Sequence, residues 1–147
     1  MGSNENSPKG NTIITQLLNI IKEISSLSEC KNSSKRLYSN LVRRVKLLSP
    51  LFEELVDRED EDVELLSVDQ VHGLELLLYA LISAKTLLKQ VQESSKLFQA
   101  VQRDKVSSKF LDITGQIEGA LSKISYDRLD LSEEVQEQVI LLIWLTM

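Results

Sequence analysis

The fold class this sequence predicts is an all-α bundle, and three observations predict it. Leucine and isoleucine dominate the apolar residues, while aromatic residues make up 5% of the 147 and glycine (five) and proline (two) are few. That balance suits helices rather than a sandwich or barrel. Apolar residues recur at steps of three and four along most of the chain, the pattern of amphipathic helices. No stretch shows the β-branched alternation of a strand. The length suits one domain with a sizeable core. The expected architecture is a single antiparallel bundle of about five helices over residues 11–147, preceded by a tail at 1–10.

The tail, Met1 to Gly10, is polar and contains Pro8 and Gly10. It reads as disordered and not as a signal peptide. Asn6 stands where a myristoylation signal needs Ser or Thr. The first helix, Thr12 to Ser28, places Ile13, Leu17, Ile20, Ile21, Ile24 and Leu27 on one side. Cys30 to Asn32 turn the chain. The second helix, about Ser33 to Asp57, carries Leu37, Leu41, Val45, Leu48, Phe52 and Leu55 as one stripe with Pro50 in its middle. Proline lacks a backbone N–H and its ring pushes away the carbonyl of Lys46, so this helix is expected to kink at Pro50. An interior proline costs about 3 kcal/mol in an isolated helix. Asp57 to Glu64 then hold six acids and one arginine, and read as a solvated linker.

Ser67 starts the third helix as an N-cap, and Gln70 completes a capping box. From Leu74 to Ile82 this helix is apolar on almost every side, which places it in the middle of the bundle. It fades near Glu93. Lys96 to Val101 fits either a helix or an extended segment. The fourth helix, about Arg103 to Ile124, has a seam of Val106, Phe110, Ile113, Ile117, Ala120 and Ile124. A loop at Tyr126 to Asp130 leads to Ser132, which caps the last helix with Glu133 and Glu134 in its first turn. Ile140 to Met147 is apolar on all sides yet far shorter than the ~20 residues that span a bilayer. Either the bundle buries it or it lies exposed as a patch for self-association. No transmembrane segment is expected, and the composition suits the cytoplasm, with the nucleus as an alternative.

Composition excludes several functions. The net charge is −5, and the acidic run alone accounts for it. The remainder is neutral, whereas nucleic-acid binding needs a net basic face. One cysteine allows no internal disulfide. One histidine and one cysteine, far apart in sequence, make no metal site. Cys30 and His72 lack any elbow or oxyanion motif that would make them nucleophile and base. No glycine-rich phosphate loop is present. No catalytic residue, metal or cofactor is therefore expected. Two surface features remain as candidate partner contacts. One is the basic group Lys35, Arg36, Arg43, Arg44 and Lys46. The other is the side of the fourth helix opposite its seam, with Ser108, Asp112, Gly115, Gly119 and Ser122. Exposed helical glycines cost about 1 kcal/mol each relative to alanine, and a smooth face lets another helix approach closely. Arg43, Arg44, Lys46, Gly115 and Gly119 are the residues carried forward.

The run Arg43-Arg44-Val45-Lys46-Leu47-Leu48-Ser49-Pro50-Leu51-Phe52-Glu53-Glu54 resembles the hallmark of the N-terminal domain of plant U-box/armadillo-repeat E3 ubiquitin ligases. Ser95-Lys96-Leu97-Phe98, Gln102-Arg103-Asp104 with Phe110, Gln116-Ile117-Glu118, Ala120-Leu121-Ser122, Leu131 to Val135 and Glu137-Gln138-Val139 agree in order. The resemblance covers about Ile13 to Val139. Ser94, Gly119, Ser125 and Gln136 depart from the family's usual glycine, alanine, proline and arginine. The resemblance implies a helical-bundle domain that contacts receptor-like kinases, exocyst subunits and small GTPases. In the family the E2-binding surface lies in a U-box, and neither that nor armadillo repeats can be placed on this sequence. The expectation is a shortened, non-catalytic product of such a ligase. The family is also similar to the four-helix bundles of mixed-lineage kinase-like and plant cell-death proteins, which implies membrane association as the alternative. Homotypic dimerisation through Ile140 to Met147 is a third reading.

Overall fold

The computed structural model describes residues 9–31, 33–57, 68–124 and 132–146. Every regular element among them is a helix. In order they are α1 (Lys9–Ser25), α2 (Lys35–Lys46), α3 (Ser49–Asp57), α4 (Val68–Glu93), α5 (Lys96–Val101), α6 (Arg103–Ser122) and α7 (Glu133–Thr146). The all-α class expected from the composition is the class observed. Residues 1–8, the acidic run from 58 onward, the Ser67 cap and the loop at 126–130 lie outside the described residues, as do the side chains of 142–147.

The predicted core faces point inward. Ile13, Leu17, Ile21 and Ile24 of α1 are buried, with Leu17, Ile21 and Ile24 fully so. α1 begins at Lys9, inside the span expected to be a tail, and stops at Ser25, earlier than expected. The serines explain the stop, because the Ser25 and Ser26 hydroxyls donate to the carbonyls of Ile21 (2.7 Å) and Glu23 (2.9 Å). Serine offers the backbone such an alternative to the helical ladder. The segment that follows is pinned at Ser28, whose carbonyl accepts from the Tyr38 hydroxyl (2.7 Å) and from Gln92 Nε2 (3.0 Å).

The disruption expected at Pro50 takes the form of a two-residue turn just before it, so the span 33–57 is two helices. α2 ends at Lys46, Leu48 N–H tightens onto the Val45 carbonyl (3.0 Å), and α3 restarts at Ser49. Pro50 then sits in the first turn of α3, where a missing N–H costs nothing. The break keeps the stripe in register: Val45, Leu48, Leu51 and Phe52 are all at most 2% exposed.

α4 is the central helix, packed between α1 and α6 and touching α2. Leu74, Leu77, Leu81, Ala84 and Leu88 are all at most 1% exposed. Its apolar character is not all buried, however: Tyr79 is 70% exposed and Ile82 45%. By length and composition Gln70–Glu93 is apolar enough to cross a membrane, with a mean hydropathy of 1.4. In this fold the stretch is the core helix of the bundle, and the Lys85–Glu23 pair (3.0 Å) joins it to α1.

Lys96 to Val101, open to either conformation in sequence, is a short helix. The Ser95 hydroxyl caps it by accepting from Phe98 N–H at 3.0 Å. Ser132 precedes α7 as expected, with its Oγ 3.4 Å from Val135 N. Its own N–H donates to Glu54 Oε2 of α3 (2.9 Å), which ties the start of α7 to the bundle.

Candidate interaction surfaces

α2 carries five basic residues and no acidic one in twelve positions. Tyr38, Leu41 and Val45 take its inner face, so the charges collect on the outer one. Lys35, Arg36, Arg43 and Lys46 are exposed. Arg44 is half-buried and lines a shallow pocket of about 140 Å³ with Leu37, Asn40 and Leu41 of α2 and Phe110, Leu111 and Thr114 of α6. Arg43, Arg44 and Lys46 also lie in the last turn of α2. Positive charge there complements the helix dipole, a favourable contribution of a few tenths of a kcal/mol or more.

The predicted seam of α6 is buried, from Val106 and Phe110 through Ile113, Ile117 and Ala120 to Ile124 just beyond it. The opposite side is open. Gly115 and Gly119 are exposed, and a Cβ on either would meet nothing within 4 Å. Within this chain, then, neither glycine serves a close approach. The structure does place this side beside the basic helix: Leu111, 72% exposed, stands one turn before Gly115 and lines the same pocket as Arg44.

The glycine that does permit close packing is Gly73, which sequence reasoning passed over. A Cβ there would lie 3.3 Å from Ile124 Cγ1 and 3.4 Å from Lys123 Cβ. The available signal was a glycine inside the most apolar helix of the chain, a position that usually has a packing reason.

A second surface was also missed. A groove of about 610 Å³ opens where the end of α4 and the start of α6 diverge around α5. Leu87, Val91, Phe98 and Val106 give it apolar walls, and Lys105 and Lys109 stand on its α6 side. α5 is inverted relative to an ordinary amphipathic helix. Leu97 and Val101 are 76% and 70% exposed and Phe98 52%, whereas Gln99 is 1% exposed. Gln99 is inside because it is fully used: its Oε1 accepts from Ser34 Oγ (2.5 Å) and its Nε2 donates to Ser94 Oγ (2.9 Å). It thus ties the start of α2 to the end of α4. The inversion, apolar out and amide in, was readable in the sequence only to someone who knew the helix's orientation.

The groups considered for chemistry are not assembled into a site. Cys30 is buried after α1, whereas His72 is exposed near the start of α4. No group of three or more metal-ligating side chains occurs among the described residues. Burial, with a smaller contribution from Cys30, raises the ionisation of Tyr38 above its ordinary value of 10.0. That hydroxyl is a structural donor to Ser28.

By class the fold is an all-α bundle with two open surfaces. The chain belongs to the PUB10-like, N-terminal domain family, whose model matches residues 35–144. It is 44% identical to U-box domain-containing protein 14 of Arabidopsis thaliana over 130 residues, 88% of this chain and 20% of that protein. It is 39% identical to U-box domain-containing protein 13 of Arabidopsis thaliana over 123 residues, 84% of this chain and 18% of that protein. Over 111 residues it is 38% identical to E3 ubiquitin-protein ligase SPL11 of Oryza sativa subsp. japonica, 76% of this chain and 16% of that protein. The chain therefore spans about a fifth of the length of such relatives. No solved structure matches it.

Proposed function

We propose that this chain is a protein-interaction domain of the U-box ubiquitin-ligase pathway, which recruits partners or substrates for ubiquitination and transfers no ubiquitin by itself. The observation that carries the reading is the α2–α6 surface. Arg44 lines a shallow pocket with Leu41, Phe110 and the exposed Leu111, on a helix that also exposes Lys35, Arg36, Arg43 and Lys46. An apolar anchor site with one guanidinium, on a helix whose charges are all of one sign, suits a partner with acidic groups beside an apolar knob. Apolar contact supplies affinity there, and the charges supply orientation and on-rate. Gly115 and Gly119 extend this surface along α6 with no side chains to obstruct a partner helix. Family resemblance suggests receptor-like kinases, exocyst subunits and small GTPases as the partner classes.

Calorimetric titration of the purified chain against members of those three classes tests the reading. Micromolar binding to at least one is expected, weakened about tenfold by Arg43→Glu with Lys46→Glu and by raising salt. Binding to none of them, or binding indifferent to both charge reversals, overturns it. Incubation with E1, E2 and ubiquitin alone should form no chains, and chain formation would end the non-catalytic part of the proposal.

The same basic helix favours one alternative, contact with an anionic membrane. Cosedimentation with phosphatidylserine liposomes that is lost with the same double variant would favour lipid over protein.

A further inference from the structure

The α4–α5–α6 groove and the outer side of α7 carry an inference that goes beyond partner recruitment and is independent of the α2 surface. Eight large apolar side chains are exposed among the described residues, and five of them lie on two helices: Leu97, Phe98 and Val101 on α5, of which Phe98 lines the groove, and Ile140 and Leu141 on α7. Exposed apolar side chains concentrated in this way mark an interaction surface.

The lysines on the groove's α6 side complement the acids of α7 in charge and spacing, while Glu93, an acid that also lines the groove, stands on its α4 side. Lys105 and Lys109 are exposed on the groove's α6 side, four residues apart, about 6 Å along the helix. Glu133 and Glu137 are exposed on α7 with the same spacing. One turn beyond Glu137 come Ile140 and Leu141. The acidic turn and the apolar turn together span about 12 Å, against roughly 9 Å for Leu87 to Glu93 along the α4 wall. A helix with an apolar face and one charged flank is the usual occupant of such a groove. The chain's own α7 is already seated on α3 and α6, with Ser132 N–H bound to Glu54.

We infer that the groove receives α7 of a second copy of this chain, with Ile140 and Leu141 against its apolar walls and Glu133 and Glu137 facing Lys105 and Lys109. Each copy carries both surfaces, and the two contacts made reciprocally form a two-fold dimer.

Sedimentation equilibrium of the full chain, from about 5 to about 500 μM at low salt, tests this. Concentration-dependent self-association is expected. Lys105→Glu with Lys109→Glu should weaken it at least tenfold, and so should Glu133→Lys with Glu137→Lys. All four substitutions together restore the charge pairing and should recover it. All four positions are exposed, so circular dichroism should show each variant folded. A monomer over the whole range overturns the inference. So does association that ignores either reversal, or association that the fourfold variant fails to recover.

Discussion

The two ends of the antiparallel α4–α6 pair are built in opposite ways. At one end Gly73 lets α4 come within 3.3 Å, measured from a Cβ it does not have, of Ile124 at the end of α6. At the other end the same two helices diverge around α5 and leave a groove of about 610 Å³. The closed end is held by contact. The open end is held by hydrogen bonds, from Ser34 to Gln99, Gln99 to Ser94, and Tyr38 and Gln92 to Ser28. The difference teaches that a helix pair can stay open to partners without losing order if directional polar bonds replace the missing contact.

The most demanding test asks whether the core is intact beneath the groove. Leu88 is fully buried in the α4 half that borders it. Leu88→Ala should cost about 2–5 kcal/mol in urea unfolding, and a loss well under 1 kcal/mol would mean that the opening reaches the core. At the closed end, Gly73→Leu should cost about 1–3 kcal/mol by overpacking. A neutral result would show that the ends are not built differently.

The polar braces come next. Tyr38→Phe removes the donor to Ser28 and should cost about 1 kcal/mol. It should also alter the pH dependence. The folded state holds the phenol proton more tightly than the unfolded chain does, so this stabilisation is complete below pH 10.0 and is lost as pH rises through the higher folded-state value. The wild type should therefore lose stability in alkali more steeply than Tyr38→Phe. Parallel curves would assign the bond no role. The smallest effect has the opposite sign. Gly115→Ala and Gly119→Ala meet no neighbour and should each stabilise the chain by about 0.5–1 kcal/mol, read as a higher Tm. Destabilisation by either would show that the open face is not free.

Much of this was legible in advance. The steps of three and four on α1, the Leu37–Leu55 stripe and the α6 seam each named a buried face, because burial is repeated at the helical period and leaves a pattern. Pro50 announced a disruption, since proline acts locally. Whether that disruption was a bend or a break depended on how Leu48 and Phe52 reached the core, which is not a local property. The basic helix was visible as composition. The pocket that gives it an apolar anchor was not, because Leu111 and Arg44 are 67 positions apart in the numbering. The groove, lined by residues between Leu87 and Lys109, was hidden for another reason: it depends on how α4 and α6 are set around α5, which no periodicity records.

The sequence by itself determined an all-helical chain, the faces its long helices bury and the charge on α2, because each arises from neighbours within one or two turns. Only the tertiary structure decided which glycine is pressed against another helix and which two stand open. It also decided that α5 turns its amide inward and its leucine outward, and that α4 and α6 part at one end. Those outcomes depend on distances between segments remote in the chain. Steric contact at Gly73 and hydrogen bonds at Gln99 act across those distances and leave no periodic trace in the sequence.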